Sequence, residues 1–232
     1  MAYMLNSKLV DLAFSESTYG DGKKLVSFEV VSAGTLHVSS GAIVACDPLV
    51  QPGAQPFVCQ IAKGDYEVRL AIARLAGGDE RVAFAKLAFS DSPVVDWKMA
   101  LVENQSVEKL GADEFFGYGV DAGTGCFMDA DAALLLQERM DQDEEYFEQI
   151  GEQMDATYKY TRSWASVLPS TASKANIVCF SSGWGDGCYP SFFGYSSDGK
   201  VVSLVTDFCV LDEAEAETSV EKKPWWQFWK SV

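Results

Sequence analysis

Two short segments hold most of the residues whose types can do chemistry. The first reads Gly117-Tyr118-Gly119-Val120-Asp121-Ala122-Gly123-Thr124-Gly125-Cys126-Phe127-Met128-Asp129. The second reads Ser182-Gly183-Trp184-Gly185-Asp186-Gly187-Cys188-Tyr189-Pro190, with Thr206-Asp207-Phe208 further on. Paired carboxylates such as Asp121 and Asp186 can work as general acid and general base. Converging aspartates (Asp121, Asp186 and Asp207) can instead grip a hard cation such as calcium or magnesium through oxygen. With Asp129 added, the set suits a metal-assisted hydrolase. Cys126 and His37, the single histidine, have the types of a nucleophile and its base.

Each of these has a plainer counterpart. Glycine-rich segments make tight loops, and aspartates within them fix the backbone through Asx turns. The spacing matches neither an EF-hand loop, nor the dinucleotide fingerprint, nor a phosphate-binding loop. No Gly-x-Ser-x-Gly elbow and no Cys-x-x-Cys pair occurs. One histidine leaves no multi-histidine metal site. No cofactor is expected.

The elements that must position these residues follow from patterning. Residues 25–31, 35–38 and 41–46 read as strands punctuated by Gly34 and Gly41, the last ended by Asp47-Pro48. Tyr66, Val68, Leu70 and Ile72 alternate with their neighbours up to Gly77-Gly78-Asp79. Val82, Phe84, Lys86 and Ala88 alternate beyond it, which predicts a hairpin. Residues 94–101 add a strand. The middle predicts two helices. One is capped by Asp129 or Asp131 and runs through Ala132–Leu136. The other spans roughly 141–160 and carries Tyr146, Phe147, Ile150 and Met154 on one core-facing stripe. Strands return at 176–181, 189–195 and 200–211. The expected class is α+β and β-rich, in antiparallel sheets or a sandwich, with about two helices in the middle of the chain. The expected organisation is one domain over 1–211, an acidic linker over 212–221 and an aromatic, basic tail over 222–232.

Composition narrows the function. The 232 residues include 34 acidic and 18 basic side chains, a formal charge of −16. That argues against nucleic acid and anionic membrane as partners, since phosphate contacts need clustered cations. It suits a basic protein partner. No apolar run approaches the roughly 20 residues of a spanning helix. The N-terminus lacks the pattern of a secretory signal, so a cytoplasmic location is expected. The six cysteines are sparse and several sit in apolar strands, so they read as buried, reduced thiols.

Several segments together resemble one bacterial family, domain of unknown function 4241. They are Val120-Asp121-Ala122-Gly123-Thr124-Gly125-Cys126-Phe127, the Gly183–Pro190 block, Gly194-Tyr195, Asp198-Gly199 and Asp207-Phe208. Ser40–Leu49 and Gly64-Asp65-Tyr66 are similar to the family as well. The resemblance spans about residues 40–211 and implies no established reaction. It implies a small bacterial cytoplasmic protein. Some orphan families of this kind serve as immunity proteins beside secreted toxins.

The tail crowds Trp225, Trp226, Phe228 and Trp229 between Lys222-Lys223 and Lys230. Tryptophans at this density anchor into something: the chain's own core, a second copy, a partner or a membrane interface. The expected function is a non-enzymatic binding protein, an immunity protein neutralising a secreted bacterial toxin. Its expected contacts are Trp184, Asp186 and the four tail aromatics. The alternatives are the aspartate hydrolase, with Asp121, Cys126, Asp129, Asp186 and Asp207, and a scaffold acting through the tail. A homo-oligomer through the tail is a further expectation.

Overall fold

The structure, a computed structural model, describes residues 2–20, 22 and 25–211. The linker 212–221 and the tail with Trp225, Trp226, Phe228 and Trp229 lie outside the described residues.

In chain order the elements are α1 (Ser7–Phe14), β1 (Thr18–Tyr19), β2 (Val26–Val38), β3 (Ile43–Cys46), β4 (Gly64–Arg74), β5 (Glu80–Ala88) and β6 (Asp96–Met99). There follow β7 (Gly117–Val120), β8 (Thr124–Asp129), α2 (Ala130–Gln142), α3 (Tyr146–Asp155), β9 (Trp164–Val167), β10 (Ile177–Ser181), β11 (Gly187–Tyr195) and β12 (Val201–Asp207). The class is α+β and β-rich, as the patterning predicts. A large sheet runs β1-β2-β4-β5-β12-β11-β6, with β7 also on β11. A small sheet runs β3-β8-β10-β9. The pairings within both sheets are antiparallel. Among the described residues no helix is long and apolar enough to cross a membrane.

The small sheet is the middle layer. Alternate residues along its strands enter different cores. Ile43, Ala45, Phe127, Val178 and Phe180 pack toward the large sheet. Val44, Cys46, Cys126, Met128, Ile177 and Cys179 pack toward α2 and α3. A strand covered on both faces needs no polar alternation, and 43–46 and 177–180 are accordingly continuous apolar runs. The helices bury Ala132, Ala133 and Leu136 on α2 and Tyr146, Ile150 and Met154 on α3. Phe147, placed on the same stripe by spacing, is 47% exposed instead.

Several boundaries differ from the patterning for local reasons. Residues 25–31 and 35–38 belong to one long strand, because Gly34 makes a bulge rather than a break. The glycine-rich segment 117–129 is not a loop but β7, a short turn and β8. The second helix is shorter than 141–160. Asp143 turns extended and accepts the amide of Glu145 through its own carboxylate. Met154 and Trp164 carbonyls then share the Thr157 hydroxyl, which turns the chain toward β9. The helix α1 went unpredicted, although Asn6 caps it by accepting the Leu9 amide at 3.1 Å.

A buried ion-pair network ties the layers together. Arg162, 3% exposed, donates from Nε to Glu80 Oε2 at 2.7 Å. Arg74 pairs with the other Glu80 oxygen and with Glu29. Removing one partner of such a pair leaves a buried charge uncompensated. Arg162→Met is therefore expected to destabilise the fold by about 3 kcal/mol. Urea unfolding should show a lower midpoint with an unchanged slope.

Candidate functional site

The two glycine-rich segments meet at one end of the small sheet. β7 pairs with the start of β11, placing Val120 opposite Gly187. β8 pairs with β10, placing Thr124 opposite Ser181. The turns 121–123 and 182–186 are thereby side by side. Gly123 donates its amide to Asp186 Oδ1 at 3.2 Å, and its carbonyl accepts the Ser182 amide at 3.1 Å. The Ser182 carbonyl in turn accepts the Gly185 amide at 2.9 Å.

Two glycines are dictated by what lies over them. A Cβ on Gly125 would come within 2.7 Å of the Tyr118 hydroxyl. A Cβ on Gly183, at φ +58°, would meet the Cβ of Phe208 at 2.8 Å. The Tyr118 hydroxyl is buried, and burial pushes its phenol well above the ordinary value.

The residue that organises the turn is one the sequence shows only as a strand end. Asp47 follows β3 and is fully buried. Its Oδ2 accepts the amides of Asp121 at 3.0 Å and Ala122 at 2.7 Å, and its Oδ1 accepts that of Leu49 at 3.0 Å. A buried carboxylate is tolerable when backbone donors converge on it in this way. An aspartate closing a short apolar strand, just before a proline, was the available signal.

The sequence-predicted residues separate into distinct places. Asp121, Trp184 and Asp186 stand together on the loop pair, all exposed. Asp129 sits at the far end of β8, opposite Ile43. There it accepts from the Ser40 and Gly41 amides, the Ser39 and Ser40 hydroxyls and the Asp131 amide. It is both the helix cap the sequence suggested and the clamp on the 39–41 turn. Asp207 ends β12 in the large sheet, accepting from the Tyr3 hydroxyl at 3.0 Å and the Cys209 amide at 2.8 Å. Cys126 lies in the middle of the small sheet, its sulfur 3.7 Å from that of Cys46. His37 is on β2, with Nδ1 2.6 Å from Asp65 Oδ1. The Cys126–His37 pair is therefore not formed. Among the described residues no three His, Cys, Asp or Glu side chains form a group able to hold a metal ion.

Trp184 is the displayed group of the site. It is 38% exposed, and the Arg81 guanidinium lies 4.7 Å from its ring centroid. Arg81 is itself oriented, by Asp79 Oδ2 at 3.0 Å and the Gly183 carbonyl at 3.3 Å. Arg81 was missed because within an alternating strand it reads as an ordinary outward residue.

Four of the thiols, Cys46, Cys126, Cys179 and Cys188, are buried. The hydrogen bond to Cys126, then burial, holds the Cys46 thiol well above its usual range. Burial does the same for Cys179 and pushes Cys188 up to about 12.

The chain matches the family model described as Protein of unknown function (DUF4241) over residues 36–206, and it belongs to that family. No curated protein and no solved structure matches it.

Replacing Asp47 by Asn exchanges one acceptor oxygen for an NH2 donor, so at least one of the three amides that Asp47 accepts faces a donor. Asp47→Asn is expected to cost about 3 kcal/mol, read as a lower melting midpoint. Alkylation of the native protein at pH 8, mapped by mass spectrometry, should be confined to the half-exposed Cys59 and Cys209. Cys46, Cys126, Cys179 and Cys188 should react only after unfolding.

Proposed function

We propose that this family member is a non-enzymatic binding protein, an immunity protein that acts in the cytoplasm and neutralises a secreted bacterial toxin by covering a basic surface on it. The observation that carries the reading is the loop pair itself. It presents an exposed Trp184, held over Arg81 and flanked by exposed Asp121 and Asp186, on a turn clamped by buried Asp47. Tryptophan and arginine are favoured anchors of protein interfaces, and a pre-ordered anchor loses little entropy on binding.

Two further features support it. The buried carboxylates near the signature segments, Asp47 and Asp129, are engaged by backbone amides and hydroxyls, so they serve the fold rather than proton transfer. The formal charge of −16 speeds and orients encounter with a basic partner.

The test is protection of cells expressing the product of the neighbouring reading frame, with affinity measured on the purified pair. Trp184→Ala should weaken binding about tenfold or more, as loss of an anchor does. Asp121→Asn and Asp186→Asn should slow association at low salt and leave protection intact. Heat on titration with calcium or magnesium, lost in both Asn variants, would replace this reading with the metal-assisted hydrolase.

A further inference from the structure

A groove of about 750 Å³ opens on the large sheet where β6 ends it. Its walls come from residues 2–7, 58–59, 94–101 and the β11 aromatics. Met4 is 72% exposed, Val58 59%, Val95 64% and Val107 45%. Trp97 and Met99 lie between them, half-buried. Scattered exposed apolar side chains are ordinary, but a concave cluster of this kind needs a cover. Asp11 and Asp96 add carboxylates to the lining, and the lining cation Lys98 lies over the Tyr195 ring with its Nζ 3.9 Å from Asp96.

The chain carries a segment of matching chemistry. Residues 222–232 set Trp225, Trp226, Phe228 and Trp229 among Lys222, Lys223 and Lys230. Aromatic bodies suit the valine and methionine walls, and the lysines suit the Asp11 carboxylate. The described chain ends at Leu211, beside Val210, whose side chain lies over Gly183; Asp207, four residues earlier, hydrogen-bonds Tyr3, which lines the groove. From Leu211 to Trp225 an extended chain reaches roughly 46 Å at about 3.3 Å per residue. A globule of this size is on the order of 43 Å across, so the linker covers the distance. Tethering then supplies a high effective concentration for weak contacts.

We propose that the C-terminal segment 222–232 docks in this groove of its own chain, its tryptophans against Val58, Val95 and Trp97. The groove lies apart from the Trp184 loops, so this inference stands or falls independently of the toxin-binding reading.

The experiment compares the full chain, a chain ending at residue 221, and the full chain carrying Val58→Asp with Val95→Asp. The shortened chain should bind the apolar dye ANS several-fold more strongly. Added synthetic peptide 222–232 should displace the dye. In the full chain the two aspartates should raise acrylamide quenching of tryptophan about twofold. In the shortened chain they should change it little. Equal dye binding by full and shortened chains, with quenching unmoved by the aspartates, overturns the proposal. So does a groove covered by a concentration-dependent dimer that persists after truncation, which assigns the cover to a second copy. If the shortened chain fails to melt cooperatively, the quenching of the full-length aspartate variant decides the matter alone.

Discussion

A sheet buried on both faces cannot let water satisfy the backbone at its ends, and this constraint shapes the molecule. The small sheet lies between the large sheet and the helix pair, with apolar side chains leaving both faces. Where β3 and β8 run out, the connecting turns still carry amides that need acceptors. A carboxylate stands at each end. Asp47 takes the 121–122 amides at one end, and Asp129 takes the 40–41 amides at the other. Each carboxylate accepts several bonds, which offsets its own desolvation. Asn176 does a related job between layers. Its side chain accepts the His37 amide at 2.8 Å and donates to the Thr35 carbonyl at 2.7 Å, fastening β2 over the small sheet.

The same constraint separates the carboxylates by role. Those that look most like catalytic acids in sequence are either engaged by backbone, as Asp129 is, or displayed on turns, as Asp121 and Asp186 are. Cys46, Cys126 and Cys179 fall opposite one another across three strands and point into the helix-side core. Fully buried there, the thiols pack as small apolar groups. These residue types are thus held by packing and by backbone amides, while Asp121 and Asp186 stand exposed on the turns.

Much of the fold was legible because its signals are local. The alternation on either side of Gly77-Gly78 gave the β4–β5 pair, and the apolar runs 43–46 and 177–180 gave strands. Residue types alone pair Asp121 with Asp186, and the structure sets their turns side by side. What stayed hidden depends on partners far along the chain. Asp47 acquires its role from amides more than 70 residues away. Arg81 gains meaning only when Trp184 arrives beneath it. β9 is too short to announce itself and exists because β10 offers it an edge. The strand β2 looked broken at Gly34, since a bulge and a turn use the same residue.

The acidic charge then divides into two populations with different consequences. A few carboxylates are buried and stabilise specific turns. Many of the other described carboxylates are exposed, and between Asp129 and Asp155 ten acidic residues accompany the single base Arg139. Most of that stretch is the outer layer of α2 and α3, where like charges repel and are screened by salt. Helices gain little from such crowding, and Arg139 relieves it by pairing with Asp143 and lying over the Tyr146 ring. Exposed Leu134 and Phe147 interrupt the acid on the same layer. Repulsion kept at this level opposes self-association through the helices, while the groove beside β6 carries far less charge and the loop pair combines two carboxylates with an aromatic anchor. The surface is thereby graded: the helix layer crowds acidic side chains, while exposed apolar side chains gather in the groove beside β6 and Trp184 stands on the loop pair.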